Sequence, residues 1–112
     1  MINVTIVKSN NKILTIEATG HSGYAESGKD IVCAAVSTLT QALINGLIEV
    51  VKISPNYVVD ENVPHLSVTL PNDLTDEKSK QAQVLMSSTY LAIKGVADSY
   101  PKFIKIKEKQ ND

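Results

Sequence analysis

Ile2, Val4 and Ile6 alternate with Asn3 and Thr5, and Leu14, Ile16 and Ala18 alternate with Thr15 and Glu17 beyond Ser9-Asn10-Asn11. A period of two is the pattern of half-buried strands, and the Asn-rich break between the two runs reads as a turn. The spacing predicts a hairpin over residues 2–8 and 12–19, ended by Gly20, with His21 just beyond it. The period then changes. Val32, Val36, Leu39, Leu43, Leu47 and Val50 recur at steps of three and four, which predicts a helix over residues 31–52. Asp30 suits its N-cap, because a carboxylate there accepts from a backbone N–H two or three residues on. Gly46 is a weak point inside it, and Ser54-Pro55-Asn56 stops it.

Tyr57-Val58-Val59 and the alternating Leu66, Val68 and Leu70 predict two more short strands around Asp60-Glu61-Asn62. A second helix is predicted over about 74–98, with Ala82, Leu85, Met86, Thr89, Tyr90, Ile93, Val96 and Ala97 on its buried face. Asp76 and Glu77 lie early in it, where the helix dipole favours acid. Tyr100-Pro101 ends it, and Phe103 to Lys107 alternates as a closing strand. Glu108 to Asp112 reads as a polar tail.

The order is therefore β-β-α-β-β-α-β. Two amphipathic helices need an apolar surface to cover, and five short strands offer one. The expected fold is α+β: a two-layer sandwich with two long helices on a small mixed sheet. Residues 1–112 form one expected domain with a polar tail from about 108. Ile13, Val7 and Phe103 fall on the second face of that sheet, as a dimer contact or as scattered exposed apolar residues.

Composition sharpens the picture. Apolar residues make up 43% and charged residues 21% of 112 residues, a globular balance. The apolar runs are interrupted by polar residues, so no membrane partner is expected, and the N-terminal strand lacks the pattern of a signal peptide. Net charge is −1 and every basic side chain is Lys, with no Arg. Bidentate recognition of phosphate and guanine leans on Arg, so direct nucleic-acid binding is not expected. Lys102, Lys105, Lys107 and Lys109 nonetheless form a small basic edge. Such a run is ordinarily a solvated guard against strand pairing, though it can also touch an acidic partner or ribosomal RNA. The single Cys33 excludes an internal disulfide and a zinc site of several thiolates, and suits a reducing, cytoplasmic setting.

The candidate chemistry lies in residues 20–37, GHSGYAESGKDIVCAAVS. With Asp30 at the N-cap, Cys33 falls in the first helical turn, where free N–H groups and the dipole favour an anion such as a thiolate. A loop of eight residues, Ser22 to Lys29, can fold His21 back over Cys33 as its base. Ser37 lies one turn along the same helix face, and Asp30 can orient His21 or cap the helix. The first-turn N–H groups can hold an oxyanion. From the residues alone the plainer assignment stands beside this one: Cys33 as a small buried hydrophobe, His21 as a solvated loop residue, Asp30 as a cap and Ser37 as a passive helix residue. His65 is a reserve base. His21, Cys33 and His65 match no standard zinc spacing, and no metal or other cofactor is expected.

Gly20-His21-Ser22, a short loop, and Gly28-Lys29-Asp30-Ile31-Val32-Cys33-Ala34-Ala35-Val36-Ser37 together resemble the signature of the ribosomal-processing cysteine protease family (Prp). That signature is Gly-His-small residue, then Gly-x-Asp-Ile-Val-Cys-Ala-Ala-x-Ser. The rest of the chain agrees in length and element order. Ser22 departs from the Ala common in relatives, and both are small.

The resemblance implies a homodimeric cytoplasmic thiol protease, with Cys33 as nucleophile and His21 as general base. Gly20, Asp30 and Ser37 carry over as supporting positions. The family removes an N-terminal extension from a large-subunit ribosomal protein, number twenty-seven, in Firmicutes and related bacteria, a step of ribosome biogenesis. Ser22, Gly23, Tyr24, Ala25, Glu26, Ser27, Gly28 and Lys29 resemble its substrate-gating segment. Two other classes of function stay open: a thiol redox sensor built on Cys33, and a non-catalytic ribosome-associated binding module.

Overall fold

A computed structural model describes residues 1–20, 27–60 and 65–111, with residues 27–30 described by their backbone alone. Its strands are β1 (Ile2–Ser9), β2 (Lys12–Thr19), β3 (Asn56–Asp60), β4 (His65–Thr69) and β5 (Ile104–Gln110). Its helices are α1 (Ser27–Asn45), continued by a π-helical turn (Gly46–Val51), and α2 (Asp76–Ser99). The element order matches the α+β expectation. The sheet runs β3-β4-β2-β1-β5, antiparallel except for β5, which lies parallel to β1. Joining β4 to the far edge requires a long crossover, and α2 supplies it across the sheet.

The alternation along β1 and β5 divides the sheet into two faces. Ile2, Val4, Ile6, Ile16, Ala18, Val68 and Ile104 point to the helices and are buried. Val32, Val36, Leu43, Ile44 and Leu47 of α1 and its π turn, with Ala82, Met86 and Ile93 of α2, cover them. The segment Ile31–Val51 is long and apolar enough to cross a membrane, and 33% of it is buried here. It carries no charge between Asp30 and Glu49, a pattern at odds with the expectation that no apolar run reaches such a length. In this fold its apolar side packs on the sheet.

Three local features depart from the expectations. First, β2 is bulged. Val7 pairs with Thr15 and Lys8 with Ile13, so Leu14 is an extra residue. The bulge turns Ile13 onto the core face, where it is 4% exposed, and Leu14 packs half-buried beside it. Phe103 also packs against the core, leaving only Val7 of the three on the open face. Gln83 of α2 holds the bulge: its Oε1 accepts from the Ile13 N–H at 2.9 Å and its Nε2 donates to the Ile13 carbonyl at 2.7 Å. A side-chain amide thus takes the place of a neighbouring strand.

Second, the π turn shifts the buried face of the helix by one residue. Val51 is buried and Val50 is 77% exposed, the reverse of the simple spacing, because a π turn takes an extra residue before returning to the same face. Third, Glu108 to Gln110 belong to β5 and are no frayed tail. Their backbone pairs with Ile6 to Lys8 of β1. Glu108 also accepts from the Tyr90 hydroxyl at 2.6 Å and pairs with Lys8 at 3.1 Å. As expected, α2 starts close to residue 74, on Thr75, whose side chain accepts from the Lys78 N–H.

Two predictions follow from these contacts. Gln83→Ala leaves both polar groups of Ile13 without a partner and lowers unfolding free energy by about 2 kcal/mol, read by urea titration. The second concerns Tyr90. Its hydrogen bond to Glu108, aided by burial and the carboxylate charge, raises the phenol from 10.0 to about 12. Ultraviolet titration therefore shows one phenol ionising near 12, and Glu108→Gln returns it toward 10. Because the folded value is raised, the stabilisation is complete below the unfolded value and is lost as pH rises through about 12. The Tyr90 hydrogen bond and then Lys8 hold the Glu108 carboxyl below its ordinary range, so its share is lost at the acid end.

Candidate active site

The site is built from the end of β2 and the beginning of α1. Gly20 follows β2 with φ +98°, a conformation L side chains rarely adopt. A Cβ there would collide with the Met1 carbonyl oxygen and come within 3.3 Å of its carbon and 3.4 Å of Ile2 Cα. The register explains the crowding: Thr19 pairs with Asn3, so the chain leaves β2 directly against the first residues of β1. Gly20 is the residue on which the chain turns away from the sheet, immediately before His21.

Cys33 stands on α1, half-buried, packed against the core and free of any disulfide. Ser37 is half-buried one turn further on. The next turn is fixed by Thr40, which is 1% exposed and donates to the Val36 carbonyl at 2.8 Å. Cys33 is therefore not wholly enclosed, as an inert core thiol would be, and it sits on a helix that the sheet holds in place.

The helix begins four residues earlier than its spacing suggests. Ser27, Gly28 and Lys29 form its first turn. This corrects the N-cap assignment of Asp30, which is the fourth helical residue, and it makes Ser27 to Lys29 helix where a loop was expected. Small and polar residues cost little in a first turn, whose N–H groups have no helical partner in any case. Cys33 then lies in the second turn, with its own N–H bonded inside the helix. The first-turn donors offered for an oxyanion are about 6 Å back along the axis. Helical side chains lean toward the N-terminus, which shortens that separation for the Cys33 side chain, although the dipole's effect falls off within the first turn. His21, Ser22, Gly23, Tyr24, Ala25 and Glu26 lie outside the described residues, as does the Asp30 side chain.

His65 belongs elsewhere. It pairs with Thr19 on the open face of the sheet, where its Nε2 lies 2.8 Å from Glu17 Oε2. Cys33 is on the helix side, so the sheet separates the two. His65 is therefore not placed to serve as a reserve base, and it and Cys33 are not placed to share one zinc ion. Among the described residues, no three His, Cys, Asp or Glu side chains gather as metal ligands.

The fold is a two-layer α+β sandwich that holds one half-buried thiol on its first long helix, a frame on which thiol chemistry can be built. The chain belongs to the cysteine protease Prp family, whose model matches residues 1–105. That family comprises ribosomal processing cysteine proteases. A relative of that name from Mycoplasma pneumoniae is 33% identical over 113 residues, covering 100% of this chain and 99% of its own. The one from Bacillus subtilis is 29% identical over 107 residues, covering 95% and 96%. Among solved structures, SMU.848 from Streptococcus mutans matches with a TM-score of 0.87 at 31% identity, covering 99% of this chain and 96% of its own. The Prp protease from S. aureus, solved with a substrate peptide, matches the fold with a TM-score of 0.85 at 23% identity, covering 97% and 100%.

Gly20→Ala tests how far the site depends on the turn. The change imposes both backbone strain and a collision, so a stability loss of at least about 2 kcal/mol is expected. Cleavage should fall with it, and unchanged urea unfolding would show that the close approach to Met1 is not required.

Proposed function

We propose that the protein is a cytoplasmic cysteine endopeptidase with a Cys33–His21 dyad that removes the N-terminal extension of large-subunit ribosomal protein twenty-seven. The observation that carries this reading is the placement of the single thiol: Cys33 is half-buried on the first half of α1, in a chain of the Prp family. Asp30 and Ser37 support the dyad, and residues 22–26 with the start of α1 gate the substrate. The active form is a homodimer, as the resemblance implies.

In this mechanism the Cys33 thiolate attacks the scissile carbonyl carbon, and the carbonyl π electrons move to oxygen. The tetrahedral intermediate collapses as the C–N bond breaks, and the His21 imidazolium gives its proton to the departing amine. A thioester remains on Cys33. Water attacks it with His21 taking a proton, the C–S bond breaks, and the acid product leaves with the thiolate and imidazolium restored. The N–H groups of the first helical turn, toward which the Cys33 side chain leans, and the Ser37 hydroxyl, one turn on along the same face, are the candidate donors for the oxyanion.

Cys33→Ala should abolish removal of the extension from the ribosomal substrate, read by intact mass of both proteins, while thermal unfolding stays within about 1 kcal/mol of the parent for so small a change at a half-buried site. Full cleavage by that variant would refute the mechanism. Peroxide-driven oxidation of Cys33 without cleavage by the parent would instead support a redox sensor.

A further inference from the structure

The near-neutral charge of the whole chain conceals a one-sided distribution. Along β5, Ile104, Ile106 and Glu108 point to the helix layer, so the intervening Lys105, Lys107 and Lys109 stand together on the open face of the sheet. Successive members are about 6.6 Å apart at the rise of a parallel strand, giving a row about 13 Å long. All three are exposed, and none has an ion-pair partner among the described residues.

Beside the row lies a cleft of about 430 Å³ lined by Asn3, Val4, Thr5, Thr19, Lys105 and Lys107. Its side chains offer ammonium, hydroxyl and amide donors. The nearest acid on this face, Glu17, is aligned with Thr5 two strands from Lys107, about 9–10 Å away, and is engaged by His65.

We propose that this open face, along β1 and β5, binds the phosphate backbone of an RNA duplex, with Lys105, Lys107 and Lys109 as its cation row. A row of evenly spaced ammonium groups suits a ligand carrying one negative charge per repeat. The cleft lies inward of the row, so the ligand rests on the face and not along the strand edge, as an added peptide strand would. The cleft also lacks the apolar anchors that peptide recognition uses, whereas Asn3, Thr5 and Thr19 can bond both phosphate oxygens and ribose hydroxyls. Among the described residues the face has no aromatic platform, and the chain has no Arg, so contact is with the backbone and is independent of base sequence. The argument does not depend on the peptidase reading.

The row also guards the sheet edge, and charge reversal separates the two roles, since Glu guards an edge as well as Lys does. Binding of a fluorescein-labelled RNA duplex is followed by anisotropy between 50 and 200 mM salt. Three neutralised phosphates predict a slope of log affinity on log salt of about −2.7. K105E/K107E/K109E should lose at least tenfold in affinity, while staying monodisperse by gel filtration and cleaving free peptide at the parent's rate. K12E/K52E/K80E, with the same change in net charge on other surfaces, should retain binding. Three results would overturn the proposal: no salt-dependent binding by the parent, equal losses in the two triple variants, or displacement of RNA by polyglutamate at equal charge concentration. Absence of peptidase activity in the parent would leave the RNA measurement intact.

Discussion

The end of β2 is pinned by a backbone contact that no side chain allows. Gly20 passes so close to the Met1 carbonyl that even a methyl group would not fit, and its positive φ turns the chain out of the sheet at that point. The residue after it is His21, and a few residues later the chain is helical. Hydrophobic burial places α1 over the sheet, but it is not directional. The geometry of one glycine against the first strand decides where the connection to α1 departs.

The two faces of the sheet then take different tasks. The helix side holds the core and Cys33. The open side holds the His65–Glu17 pair, the Thr15–Thr69 hydroxyl contact at 3.0 Å and the lysine row of β5. A protein of this size has little surface to spare, and a single layer of strands keeps imidazole and thiol apart as effectively as distance does. The bulge at Leu14 belongs to the same arrangement, because it returns Ile13 to the core where strict alternation would expose it.

Much of this was legible in the sequence because it rests on local periodicity. The hairpin, both helices and the closing strand follow from spacing, and the residues of the signature mark Gly20, His21 and Cys33. What escaped has a non-local cause. The bulge depends on an amide from Gln83, seventy residues away. The exchange of Val50 for Val51 depends on a π turn at Gly46, where a Cβ would meet Leu85 Cδ1 at 3.0 Å. Glu108 to Gln110 look like a tail because nothing in their polarity shows β1 waiting to pair with them. The start of α1 at Ser27 is hidden by residues that suit a loop and a first turn equally. The basic run of β5 was visible and its alternation puts Lys105 and Lys107 on one face, but only the pairing register adds Lys109 and sets that face away from the helices.

The central claim is that the one thiol in the chain carries the chemistry. Since Cys33 is the only cysteine, its alkylation can be counted by intact mass while cleavage of a peptide spanning the extension is followed in the same sample. The account predicts that activity falls one-for-one with the alkylated fraction and that bound peptide protects the thiol. Fully alkylated protein that still cleaves at the original rate would contradict it.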